Sequence, residues 1–236
     1  MSLSGKKVVV ITGASQGIGA ALVKEYADRG YAVVATSRGI SPVPAPDVVT
    51  VRGDIADRAT AERVAAAAIE RFGRIDTLVN NAGIFIAKPF TEYTQDDYEA
   101  VTGVNLDGFF RITQLAVAQM VRQGSGHLVQ IGTSLAEHAD ASVTSVLAAL
   151  TKGGLQSATK ALAIEYAARG IRSNAVALGV IETRSPDAYD DALARLHPLG
   201  RLGEISDVVD AILYLENAPF VTGEILHVDG GQSAGH

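Results

Sequence analysis

The sequence predicts an α/β fold, a single doubly wound parallel sheet of about seven strands with helices on both faces. Three observations predict it. Short apolar runs alternate with longer segments of helical period from end to end. Such alternation calls for a parallel sheet covered on both sides, and right-handed crossovers leave few topologies besides the doubly wound one. Glycines crowd the turn between the first apolar run and the first helical segment. At 236 residues the chain fits one domain, 1-236, with enough length for a substantial core.

Each element follows in order. Val8–Thr12 reads as a buried strand, and Gly17–Arg29 as the helix after it. Ala32–Thr36 and Val48–Val51 read as the next two strands. Between them lies Ser41-Pro42-Val43-Pro44-Ala45-Pro46, which excludes the helix otherwise expected there, because proline disfavours helix interiors. Helix Asp57–Arg71, strand Thr77–Asn80, helix Asp96–Arg122 and strand His127–Ile131 follow. Helix Ser145–Arg169, strand Ser173–Ala177, helix Ile205–Glu216 and strand Ile225–Val228 complete the set. Glu182–Gly203 holds Pro186, Pro198 and several charges. It is expected to cover the site as a loop with a short helix, Asp187–Arg195.

Composition narrows the function classes. Hydrophobic residues make up 47% and charged residues 19%, which suits a globular enzyme and argues against disorder. The formal net charge is −6 with no block of Lys or Arg, so neither a nucleic-acid surface nor a polybasic membrane patch is expected. No cysteine is present, which removes disulfides, thiol nucleophiles and Cys-based metal sites from consideration. The opening Met-Ser-Leu-Ser-Gly-Lys-Lys leads straight into the first strand, so no signal peptide or membrane span is expected there, and the cytoplasm is the expected location.

The turn Thr12-Gly13-Ala14-Ser15-Gln16-Gly17-Ile18-Gly19 carries the first chemistry. A pyrophosphate must approach the backbone closely there, and its charge is met by amides at the helix N-terminus. Side chains at Gly13, Gly17 or Gly19 would obstruct the turn, the phosphate or the helix–strand packing. The second strand ends Ala35-Thr36-Ser37-Arg38 without the acidic residue that would bind a ribose 2′-hydroxyl. Arg38 instead offers a charged fork suited to a 2′-phosphate, so NADP(H) is favoured over NAD(H).

With these residues in place the chain resembles the short-chain dehydrogenase/reductase family, on a Rossmann-type fold, over essentially its whole length. Thr12–Gly19 is similar to that family's TGxxxGIG motif. Asn80-Asn81-Ala82-Gly83 is similar to its NNAG motif, which steadies the central sheet and lines the adenosine side. Gly53-Asp54-Ile55 resembles the segment whose Asp holds the adenine amine, and Asn105 matches the family's helix asparagine. The stretch Gly223–Gly231 matches its last strand and C-terminal turn. The resemblance implies a small-molecule carbonyl or alcohol substrate and assembly as a homodimer or homotetramer.

It also implies a mechanism in which a Tyr hydroxyl moves the carbonyl proton and a Ser hydroxyl orients the substrate oxygen. A Lys binds the nicotinamide ribose and lowers the Tyr pKa, and the Asn holds a relay water. Lys152 stands at the expected place, but the position four before it is Ala148. No residue from 142 to 151 is aromatic or a general acid. The serine falls on Thr133 when counted from the strand and on Ser134 when counted back from Lys152, with Ser134 slightly favoured. Leu178 replaces the Pro usual after the sixth strand, while Gly179 and Thr183 remain, so the nicotinamide amide is expected at the Ile181 backbone and the Thr183 hydroxyl.

The expected function is therefore an NADP(H)-dependent oxidoreductase with an altered proton donor. His138, Glu137, Tyr189 and His197 are candidates for that donor, and Ser142, Thr144 and Ser145 could hold a water. The alternatives are a redox-inactive NADP(H)-binding sensor or partner protein and, more weakly, a lyase-type activity.

Overall fold

The computed structural model describes residues 5–183 and 191–235. In order, strands are β1 Val8–Thr12, β2 Ala32–Ser37, β3 Val48–Arg52, β4 Thr77–Asn80, β5 Gly126–Thr133, β6 Ile171–Leu178 and β7 Ile225–Val228. Helices are α1 Gly17–Asp28, α2 Arg58–Phe72, α3 Gln95–Thr102, α4 Phe109–Gln123, α5 Val146–Tyr166, α6 Asp191–Ala194 and α7 Ile205–Asn217. The sheet order is β3-β2-β1-β4-β5-β6-β7, parallel throughout. The order reverses between β1 and β4, and in such sheets the crevice beyond the strand C-termini at that point receives ligands.

The strands are apolar because both faces are covered. Successive side chains point to opposite sides. Val9, Ile11, Val33 and Val79 pack with Leu22, Tyr26, Val208 and Ile212 of α1 and α7. Val8, Val10, Val34 and Leu78 pack with Val64, Ala68, Ile112 and Met120 of α2 and α4. No described helix is long and apolar enough to cross a membrane.

Three elements depart from the sequence-based expectation. The helix expected at Asp96–Arg122 is divided into α3 and α4 by a π turn, Gly103–Gly108. The wider turn admits Asn105 to the interior, where it is 1% exposed and bonded to the backbone of Ile84 at both N–H and C=O. β5 and β6 are longer than expected because they pair continuously from Gly126↔Ile171 to Thr133↔Leu178. In the covering segment the described helix is the short α6. Much of the expected Asp187–Arg195 helix lies outside the described residues. The Pro-rich stretch is indeed free of helix, and α5 ends in a 3-10 turn, Ala167–Arg169.

Candidate active site

The glycine turn is clasped by the loop after β4. Asn81 donates its side-chain amide to the carbonyls of Thr12 and Gly13 at 2.9 and 3.0 Å. The Thr12 hydroxyl accepts from the backbone N–H groups of Asn81 and Ala82. Gly13 adopts φ +66°, and a Cβ there would stand 2.8 Å from Ala82 Cα. The two motifs thus lock against one another at the switch point, which explains why each needs small residues.

A cleft of about 490 Å3 opens over this clasp. Gly13, Ser15, Gln16, Gly17 and Ile18 form its floor, with Ser37, Arg38, Asp54 and Ile55 at one end and Asn81, Ala82, Gly83 and Thr183 at the other. Gly19 does not line it. A Cβ on Gly19 would stand 2.3 Å from Gly13 O, so this glycine serves helix–strand packing. Gln16 caps α1 without a side-chain bond, and no acidic residue sits in the first turn, so the helix terminus is open to an anion. The hydroxyls of Thr36 and Ser37, both lining the cleft, are buried without a partner. Arg38 is largely exposed, with its guanidinium 3.9 Å from Asp54. Asp54 also accepts from Ala56 N–H, which orders its turn. An anion-accepting helix end, unsatisfied hydroxyls and an exposed cationic fork suit a phosphorylated dinucleotide.

The cleft runs into a second cavity of about 240 Å3, the two sharing Ile18, Asn81, Gly83 and Ile84. Phe85, Thr133, Ala148, Lys152, Leu178 and Ile181 line this second space. Ala148 and Lys152 lie one turn apart on α5 and both face it. Lys152 donates through Nζ to Ile131 O at 2.7 Å. Desolvation by burial, with no countering charge, pushes its ammonium down to about 8. Gly83 is required beside it, since a Cβ there would lie 2.8 Å from Nζ.

Asn105 does not line the cavity but braces it. Its amide also donates to Thr151 Oγ1 at 3.0 Å, tying the π turn to the residue before Lys152. The neighbouring hydroxyls of Thr133 and Ser134 both reach Leu178 O, but only Thr133 lines the cavity. Thr133 lines the cavity and its Oγ1 donates to Leu178 O at 3.3 Å. Ser134 is fully buried, with its hydroxyl set between Leu178 O and the Gln232 side chain. Ser134, slightly favoured by the sequence count, does not line the cavity. Gln156, absent from the sequence reading, holds the Thr133 carbonyl at 3.2 Å. It lies one turn after Lys152 on the same helix face, a spacing from which it was readable. Phe85 carried no such signal.

The candidate replacement donors fall elsewhere. Glu137 pairs with His227 at 3.2 Å, and His138 is exposed with its backbone held by Ser134 O. His197 is buried, accepting at Nε2 from Val180 N–H, and its Nδ1 has no partner. Neither Ser142, Thr144 nor Ser145 lines the cavity. Tyr189 lies outside the described residues. No group of metal-binding side chains occurs among the described residues.

Comparison with known proteins gives consistent matches. Residues 13–233 match a family model described as enoyl-(acyl carrier protein) reductase. A 3-oxoacyl-(acyl-carrier-protein) reductase of Thermotoga maritima is 36% identical over 251 residues, covering 98% of this chain and 99% of that protein. Its counterpart in Vibrio cholerae is 33% identical, with 98% of each covered. A solved structure described as ElxO with NADP bound superposes with a TM-score of 0.90 at 29% identity, covering 98% of this chain and all of that one. A gluconate 5-dehydrogenase from Burkholderia cenocepacia in complex with NADP and tartrate gives a TM-score of 0.86 at 30% identity, covering 99% of this chain and 97% of that one.

Proposed function

The chain belongs to the short-chain dehydrogenase/reductase family, and from this premise we propose that it is an NADP(H)-dependent reductase of a small carbonyl substrate. The observation that carries the reading is the joining of the glycine-floored cleft to the cavity lined by Thr133 and Lys152. NADP(H), when bound, supplies or accepts the hydride. Backbone amides of the Ser15–Gly19 turn meet the pyrophosphate, and Ser37 and Arg38 meet the 2′-phosphate. Asp54 and Ile55 take the adenine end, while Asn81, Ala82 and Gly83 line the adenosine side. Lys152 takes the nicotinamide ribose, Ile181 and Thr183 the carboxamide, and Thr133 orients the substrate oxygen. Asn105 fixes the helix that carries Lys152.

The relatives named as 3-oxoacyl reductases make a 3-oxoacyl thioester one substrate to include. NADPH oxidation should be followed across such thioesters, ketones, aldehydes and quinones. Lys152→Ala is expected to reduce turnover by about 100-fold or more. Tight NADPH binding with no turnover would instead favour a redox-silent NADP(H)-binding protein, a reading that Ala148 keeps in play. A homodimer or homotetramer and a cytoplasmic location belong to the same proposal, and light scattering tests the first.

Arg38→Ala tests the cofactor assignment. A charge-assisted bond to phosphate is worth roughly 1.5–3 kcal/mol, or about 10- to 100-fold in affinity. The variant should lose that factor for NADPH, with NADH binding unchanged in parallel titrations. Equal loss for both dinucleotides would count against Arg38 as the 2′-phosphate contact.

A further inference from the structure

We propose that Lys152 is itself the acid that protonates the substrate oxygen, its ammonium acting across the space beside Ala148. The proposal rests on the carbonyl-reductase reading above. Among the described residues, Lys152 is the one side chain with an exchangeable acid proton on the wall of that cavity. The faces turned toward it from α1, β5, β6 and the loop after β4 carry amide, hydroxyl, aliphatic and phenyl groups. No carboxylate or imidazole stands among them. Glu137, His138 and His197 are directed elsewhere.

The bonding of Lys152 leaves protons to give. An ammonium has three N–H groups, and Ile131 O takes one. Asn105, the polar side chain behind Gly83, spends its oxygen on Ile84 N–H and its amide on Ile84 O and Thr151. Among the described residues, therefore, no counter-ion holds the ammonium. One N–H remains for a ribose hydroxyl and one for the substrate oxygen. Burial without a partner charge also brings Lys152 down to about 8, close to the strength a general acid needs near neutral pH.

The step balances. As hydride reaches the carbonyl carbon, the π pair of the C=O bond moves to oxygen. That oxygen forms an O–H bond while an N–H bond of Lys152 breaks. The carbonyl is reduced to an alcohol, NADPH is the reductant, and the neutral amine regains its proton from water.

Two measurements test this on the intact protein. In lysine-labelled protein the side-chain NMR resonance of Lys152, assigned by its loss in Lys152→Arg, should titrate near pH 8. In steady state, kcat should be level below that pH and fall about tenfold per unit above it. Lys152→Arg keeps a cation for the ribose but cannot release a proton. It should bind NADPH within about tenfold of the wild type while turnover falls by about 100-fold or more. Titration above pH 10, or turnover in Lys152→Arg at the wild-type rate, overturns the proposal. So does a wild type that is inert while Ala148→Tyr reduces the same substrates, an outcome that leaves the reductase reading standing. Turnover in neither protein overturns that reading and this one together.

Discussion

Ala148→Tyr is expected to raise kcat for carbonyl reduction by about 10²–10⁴, the usual contribution of a positioned general acid. The physical case is local. Ala148 faces the cavity of about 240 Å3 from the same side of α5 as Lys152, so a phenol there would project into open space next to an ammonium. That cation would favour the phenolate and strengthen the phenol as an acid. Thr133 already lines the opposite strand end, and Gln156 and Asn105 already brace Thr133 and Thr151. Little else need change. The KM for NADPH should stay within a few-fold, because the glycine turn and Arg38 lie in the neighbouring cleft. The limb in kcat near pH 8 should also move, since a different group would then give the proton. A variant that folds, binds NADPH and turns over no faster would mean the site lacks more than the phenol.

The second large effect concerns stability at the opposite end of the sheet. Glu216 on α7 is buried and ionised. Burial alone would raise its carboxyl, but bonds from His127 and Thr77 outweigh that and leave it below its ordinary value. Tyr31 adds a bond at 3.2 Å. The His127 tautomer follows from its neighbour. Asn174 accepts from Glu224 N–H and donates to Val221 O, which fixes its orientation. Its amide therefore donates to His127 Nε2, and the His127 proton sits on Nδ1 facing Glu216. Burial lowers His127 despite the carboxylate, so the ring is neutral at pH 7.

Glu216→Ala would strand the neutral donors of His127, Thr77 and Tyr31, each worth about 1–3 kcal/mol, and should cost about 3–5 kcal/mol in urea unfolding, or roughly 10 °C in Tm. A loss under 1 kcal/mol would count against the network. The pH dependence has a definite sign. The folded pKa of His127 is depressed below about 6.5, so the unfolded state binds a proton that the folded state refuses. Stability is therefore lost as pH falls below about 6.5, and Glu216 adds to the loss as pH drops through its own lowered value. His127→Gln should abolish the part of the decline that begins near pH 6.5, as read from Tm between pH 7 and 5.

The sheet and the glycine turn were legible because their signals are local. An apolar strand needs both faces covered wherever it lies, and the Gly13–Gly19 turn states its need for close backbone approach by composition alone. The absence of a phenol four residues before Lys152 was legible for the same reason, since four residues make one helical turn on one face. The break of the long helix was not. The π turn exists because Asn105 reaches Ile84, a contact across twenty-one positions that no periodicity records.

By itself, then, the sequence determined the fold, the family and the absence of a phenol four residues before Lys152. Tertiary structure alone decided which hydroxyl-bearing residue lines the cavity and which titratable side chain, among the described residues, lines it too. Thr133 and Ser134 are adjacent and both hydroxyls reach Leu178 O, but Ser134 begins the turn after β5 and is buried against Gln232 while Thr133 lines the cavity, and a count along the chain that is uncertain by one residue cannot choose between them. Likewise, Glu137, His138 and His197 had suitable chemistry in the sequence but are held elsewhere by distant partners or by exposure. Among the described residues, Lys152 is the one titratable side chain lining the cavity, and burial among α1, the loop after β4, β5 and β6 is what lowers its ammonium.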